Sequence, residues 1–189
     1  IPDRIETGTF MVAAAVTGGN VAIRGTNPQY LEAVITKLRE AGAKIILNNR
    51  EIRVSSGKNP RPTDIETVPY PGFPTDMQAQ WMVLMSLSKG TSIITETVFE
   101  NRFLHVGELQ RMGSNIQVKG NSAIVKGVPK LSGAPVMATD LRASAALILA
   151  ALAAEGKTEI FGVNHLDRGY ENIEKKLRSL GARIKRIKE

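Results

Sequence analysis

Three stretches of the chain are apolar on nearly every side. Met77 to Leu87 meets no charge before Lys89, Ala143 to Ala154 is almost pure Ala, Leu and Ile, and Thr9 to Val16 is similar. This pattern predicts helices over roughly Thr9–Val16, Asp76–Ser88 and Asp140–Ala154, each ending near glycine at Gly18-Gly19, Gly90 or Gly156. A helix without a polar face belongs inside a fold. Strands are predicted after each of them, over Asn20–Arg24, Ser92–Thr97 and Thr158–Val163. Later segments alternate instead, as in Ile52-Arg53-Val54-Ser55 and Ile184-Lys185-Arg186-Ile187. Alternation predicts strands with one face in water.

A second set of helices carries a repeat. Leu38 to Ile45, Leu109 to Ile116 and Leu177 to Ile184 share the pattern Leu-x-x-x-Gly-x-x-Ile, with glycines roughly 70 residues apart. Each glycine predicts a left-handed helix cap passing directly into a strand, at Lys44–Leu47, Asn115–Lys119 and Arg183–Ile187. Two of these continue through turns to Glu51–Ser55 and Ala123–Lys126, and Asp64–Thr67 and Ala134–Ala138 are extended lead-ins. The order helix, strand, helix, strand, strand predicts three units, approximately 1–58, 59–127 and 128–189, within one domain. The expected fold is an α/β inside-out barrel. Apolar helices lie buried around a pseudo-threefold axis and mixed sheets lie outside.

Candidate chemistry sits at the helix mouths. Thr75-Asp76-Met77-Gln78 reads as a capping box, with the Thr75 hydroxyl on the Gln78 amide and Asp76 as first helical residue. A carboxylate there is favoured by the helix dipole, which is a common stabilising choice in its own right. Thr139-Asp140 opens a second apolar helix, but Arg142 stands where Gln78 does in the first. A cation in a first turn typically costs a few tenths to ~1 kcal/mol. Either the side chain is solvated and the cost tolerated, or an anion holds it there. Asp140, two residues away, does not face it on a helix. The loops Phe99-Glu100-Asn101-Arg102-Phe103 and His165 to Tyr170 each combine an acid, an arginine and an aromatic. Converging on one face, these ends mix carboxylates with guanidinium groups, as a phosphate and carboxylate site requires.

Composition narrows the field. There is no cysteine, so thiolate metal sites and cysteine nucleophiles within the chain are excluded, and a reducing cytoplasm is compatible. Two scattered histidines, His105 and His165, do not form a metal site. The longest uncharged helical run falls short of the ~20 residues that span a bilayer. The chain opens Ile-Pro-Asp-Arg, without initiator Met or apolar leader, as expected of a piece of a longer protein. Net charge is +7, which favours phosphate ligands, and much of the excess lies in Lys175, Lys176, Arg178, Arg183, Lys185, Arg186 and Lys188. Such a run is usually a solvated face. Few aromatics are available for stacking, which weakens the alternative of a non-catalytic basic RNA-binding domain.

Four motifs in order, Pro74-Thr75-Asp76-Met77-Gln78-Ala79-Gln80, Thr95 to Phe103, Ala138 to Ser144 and Asp167-Arg168-Gly169-Tyr170-Glu171, together with Ile1 to Thr9, resemble the enolpyruvyl transferases over essentially the whole chain. The resemblance implies a two-domain enzyme of which this chain is the second domain, inactive without the first. It implies addition of the 3-hydroxyl of UDP-N-acetylglucosamine to C2 of phosphoenolpyruvate, then loss of phosphate, in the cytoplasm at the start of peptidoglycan synthesis, with no metal or organic cofactor. The sister shikimate-pathway enolpyruvyl transferase is the alternative. By resemblance Asp76 is the candidate proton acceptor on the sugar hydroxyl. Val98 meets the nucleotide sugar through its backbone, with Phe99 adjacent. Arg168 and Arg142 face the phosphate and carboxylate, and Asp140 lies beside them. A sheet edge completed by the family's first residues is also implied.

Overall fold

The computed structural model describes residues 2–187. Ile1, Lys188 and Glu189 lie outside the described residues, and with them the first residue of the opening motif and the last cation of the basic run.

The chain begins with α1 (Arg4–Thr17), which starts earlier than its apolar core predicts because Asp3 caps it. The Asp3 carboxylate accepts from the amides of Ile5 and Glu6, and Gly18, at φ 67°, ends the helix. Next come β1 (Asn20–Arg24), α2 (Glu32–Glu40), β2 (Lys44–Asn48), β3 (Glu51–Ser55) and β4 (Ile65–Thr67). The order then recurs as α3 (Gln78–Ser86), β5 (Thr91–Glu96), α4 (Val106–Arg111), β6 (Asn115–Lys119), β7 (Ser122–Lys126) and β8 (Pro135–Met137). The last part is α5 (Leu141–Ala153), β9 (Glu159–Phe161) and α6 (Ile173–Ser179).

Helices α1, α3 and α5 pack on one another pairwise. All nine residues of α3 are buried, and Trp81, Met77, Met82 and Met85 are core, as their helical spacing predicts. Each large apolar side chain fully removed from water stabilises the fold by about 1.5–3 kcal/mol. Small residues such as Ala145, Ala146 and Ala150, also buried, let these helices approach closely.

The described residues form three sheets, ordered β1-β3-β2, β4-β5-β7-β6 and β8-β9. The β4–β5 and β8–β9 pairs are parallel and the others antiparallel. In β3, Ile52 and Val54 are buried while Arg53 between them is exposed, so one face meets water.

The Leu-x-x-x-Gly-x-x-Ile motif is the same joint three times. Leu38, Leu109 and Leu177 are buried, and their carbonyls accept from the amides of Ala43, Ser114 and Ala182, past glycines at φ 101°, 91° and 97°. The residue after each leucine closes the joint. Arg39, Gln110 and Arg178 donate to the carbonyls of Ile45, Ile116 and Ile184. A long donor side chain thus holds the helix against the first residues of the following segment.

The third joint departs from prediction. Arg183–Ile187 is not a strand, although Arg178 holds Ile184 as its counterparts do. The strands β2 and β6 exist because β3 and β7 pair with them, and among the described residues nothing follows to play that part here. In the same way β5 has neighbours on both sides, whereas β9 has only β8 among the described residues.

Candidate functional site

The mouth of α3 is built differently from a capping box. Pro74 is extended, at φ −72° and ψ 133°, and Thr75–Met77 forms a 3-10 turn in which the Gln78 amide donates to the Thr75 carbonyl rather than to its hydroxyl. That hydroxyl donates instead to Glu96 Oε2, at 2.8 Å, so it is unavailable as a cap. The Gln78 side chain does not reach back either: it is buried, and neither of its amide atoms has a partner among the described residues. The 3-10 turn projects Asp76 away from the core at a helix mouth.

Asp76 is held by two guanidinium groups from different parts of the chain. Arg102 Nη2 donates to Oδ1 at 2.6 Å and Arg142 Nη2 to Oδ2 at 2.8 Å. Burial pushes the Asp76 carboxyl up, but the charges and hydrogen bonds of Arg142 and Arg102 outweigh it and hold the group below its ordinary value of 3.8. Arg102 also donates through Nη1 to Thr75 Oγ1 at 2.8 Å and lies over the Phe99 ring, 4.8 Å from its centroid. The composition of its loop singles out Arg102, but only the tertiary fold supplies its partner.

Arg142 sits where the first turn of α5 disfavours a cation, and Asp76 accounts for it. The Tyr170 hydroxyl adds a second contact at 3.4 Å, with the guanidinium 5.7 Å from the ring centroid. Burial lowers the Arg142 pKa, and its partners Tyr170 and Asp76 more than offset that. Tyr170 is itself buried, which raises its pKa despite contacts to Thr9, Arg142 and Gln80. Its hydroxyl lies 2.9 Å from Thr9 Oγ1 and accepts from Gln80 Nε2 at 3.3 Å. Because the Thr9 hydroxyl donates to the Ile5 carbonyl, the Tyr170 proton points at Thr9. One polar node therefore joins α1, α3, α5 and the segment before α6. Polar residues on three separate apolar helices gave no sign of meeting.

Asp140 is the N-cap of α5, accepting from the amides of Arg142 and Ala143 at 2.8 and 2.9 Å. It touches Arg142 through the backbone alone, as its spacing predicts. Val98 and Phe99 are exposed, and both amides donate to Glu96 Oε1. Arg168 ends a 3-10 helix (Val163–Arg168) two residues before Tyr170, and the intervening Gly169 lies against Leu141 at the start of α5. Its side chain is exposed and makes no hydrogen bond or ion pair among the described residues. The structure thus joins Asp76 to Arg142 directly and links Val98 and Phe99 to them through Glu96, Thr75 and Arg102, while Arg168 stands two residues before Tyr170 in the chain and makes no hydrogen bond or ion pair with any of them.

The other sequence features settle as background. Asp167 pairs with Arg186 through both oxygens, and Lys176 with Glu6, so part of the basic run is spent on internal pairs. His105 is buried with Nε2 unpartnered among the described residues. No group of three or more His, Cys, Asp or Glu able to hold a metal occurs among the described residues. No helix there is long and apolar enough to cross a membrane.

The chain is 62% identical over 187 residues to the UDP-N-acetylglucosamine 1-carboxyvinyltransferase of Desulfosudis oleivorans, covering 99% of this chain and 45% of that protein. It is 63% identical over 188 residues to the enzyme of the same name from Magnetococcus marinus, again covering 99% and 45%. The chain therefore spans under half the length of these relatives. Among solved structures, the enolpyruvyl transferase NikO from Streptomyces tendae superposes with a TM-score of 0.88 at 30% identity, over 98% of this chain and 44% of that one. An EPSP synthase from Acinetobacter baumannii shares the fold, with a TM-score of 0.72 at 17% identity over 93% of this chain and 44% of its own. The family described as EPSP synthase (3-phosphoshikimate 1-carboxyvinyltransferase) matches residues 1–177, and this mixed α/β chain belongs to it.

Proposed function

We propose that this chain is one domain of an enzyme that transfers the enolpyruvyl group of phosphoenolpyruvate to the 3-hydroxyl of UDP-N-acetylglucosamine, a cytoplasmic step that opens peptidoglycan synthesis. The observation that carries the reading is Asp76 held between Arg102 and Arg142 at a helix mouth. In this reading the three apolar helices and their sheets form an inside-out barrel with a pseudo-threefold axis, and its repeats run approximately 1–58, 59–127 and 128–189. The unpaired edge of β9 takes a strand from the rest of the enzyme. The other domain supplies the remaining contacts, and the isolated chain is inactive.

The chemistry follows from the charges. Oxygen of the sugar hydroxyl bonds to C2 of phosphoenolpyruvate as its proton passes to Asp76, and C3 takes a proton from an acid of the other domain. The C2–O bond to phosphate then breaks while C3 returns a proton to that group, which restores the double bond. Clamped by two arginines, Asp76 is a weak base. When the substrate's carboxylate and phosphate engage Arg142 and Arg168, Asp76 loses a partner and its basicity rises, so substrate binding itself arms the acceptor. Val98 contacts the nucleotide sugar through its backbone, with Phe99 beside it, and Asp140 fixes the turn that presents Arg142.

The shikimate-type reaction is the second reading, since the matching family description names it. The 60–63% identity to nucleotide-sugar enzymes, against 17–19% to EPSP synthases of known structure, favours the first. RNA binding is disfavoured by the internal pairing of Lys176 and Arg186. A product assay on the full-length enzyme with each acceptor in turn decides. Phosphate release with UDP-N-acetylglucosamine is expected, and release only with a shikimate phosphate acceptor overturns the reading.

A further inference from the structure

Glu96 ends β5 and is 2% exposed, a carboxylate almost wholly out of water. Four donors converge on it. Oε1 accepts from Thr67 Oγ1 at 2.7 Å and from the amides of Val98 and Phe99 at 2.9 and 3.1 Å, and Oε2 accepts from Thr75 Oγ1 at 2.8 Å. No acceptor faces it among these contacts, so the site is shaped for a group that only accepts. The Thr75 hydroxyl has one proton, and Glu96 takes it. Its lone pairs are left for Arg102 Nη1, whose other nitrogen holds Asp76. Glu96 thus governs two things at once. It folds the Val98–Phe99 turn back onto the sheet, and through Thr75 it orients the guanidinium beside Asp76.

We propose that Glu96 is a positioning residue that sets the Val98–Phe99 turn and the Arg102–Asp76 pair relative to each other, so that sugar and reacting hydroxyl are aligned together. This rests on the transferase reading above. Sequence gave no hint of it, because Glu96 stands in a strand pattern where an acid reads as solvent-facing.

Two variants of the full-length enzyme separate its two arms. Glu96→Ala removes both carboxylate oxygens, and with them the Thr75 link and the acceptor of the Val98 and Phe99 amides. Thr75→Val removes the link to Arg102 while leaving Glu96 on the Val98 and Phe99 amides. Expected for Glu96→Ala are a KM for the nucleotide sugar raised about tenfold, kcat lowered about 10²-fold, and lost amide-exchange protection at residues 98 and 99. For Thr75→Val, kcat falls about tenfold while the KM for the sugar and that protection stay near wild type. If KM and kcat of both variants stay within about threefold of wild type, or both variants shift the two parameters alike, the proposal is overturned. Should Glu96→Ala not fold, the split in Thr75→Val decides. If the wild-type enzyme uses neither acceptor, the transferase reading fails. The exchange data then still judge the positioning claim, which falls if protection at residues 98 and 99 survives Glu96→Ala.

Discussion

Arg142 reaches Asp76 from 66 residues away, its Nη2 lying 2.8 Å from Oδ2. That contact resolves a local conflict: a cation in the first turn of α5 opposes the helix dipole, and a carboxylate at the mouth of a neighbouring helix compensates it. Arg142 is poorly explained by its own helix and well explained by Asp76.

Replacing Asp76 separates chemistry from folding. In the full-length enzyme, Asp76→Ala is expected to lower kcat by about 10²–10⁴-fold. Unfolding in urea is expected to show a loss of only about 1–2 kcal/mol, since the pair is partly solvated. An unchanged rate constant removes Asp76 from the reaction.

Arg168 offers a cleaner separation. Its side chain is exposed and has no partner to lose among the described residues, so Arg168→Ala is expected to change stability by no more than about 0.5 kcal/mol. Steady-state kinetics are expected to show a raised KM for phosphoenolpyruvate and a reduced kcat. Wild-type values for both contradict the anion-binding role.

Tyr170→Phe deletes one hydroxyl and little volume. Arg142 loses a neighbour and Thr9 a donor, while Gln80 Nε2 keeps Thr9 Oγ1 at 3.2 Å. Chemical denaturation is expected to register a loss of about 1–2 kcal/mol, with kcat falling because Arg142 is less constrained. No loss of stability means that the buried node is not holding the three helices.

Acid stability follows from His105 and Asp76. Burial, with the Arg102 charge adding to it and Asp140 opposing, pushes the His105 pKa from 6.5 down to about 4. Between those values the unfolded chain binds the proton and the folded chain does not. Stability is therefore complete above pH 6.5 and falls as pH drops towards 4, by roughly 3 kcal/mol in all. Asp76, depressed by its arginines, contributes stability above its unfolded value of 3.8 and loses it as pH falls through its lower folded value. Urea titrations at stepped pH are expected to show the first slope flattened in His105→Gln; an equal slope assigns it to another group.

Much of the architecture was legible because it is written in local periodicity. Helices without a polar face must be buried, alternating strands must have one wet face, and a Leu-x-x-x-Gly-x-x-Ile joint recurs at the ends of α2, α4 and α6. Asn20–Arg24, Glu51–Ser55 and Asn115–Lys119 fall where the pattern places them. Asp76 and Arg142 were legible too, as residues at odds with or emphasised by their helix mouths. What periodicity could not supply is which group each polar atom chooses. The Thr75 hydroxyl had a cap available three residues away and took Glu96 instead; Arg183–Ile187 had strand chemistry and, among the described residues, no strand to pair with. Both outcomes depend on groups distant in sequence, because a hydrogen bond is settled by whichever partner the packed core brings within 3 Å or so, and a helical or strand pattern carries no record of that.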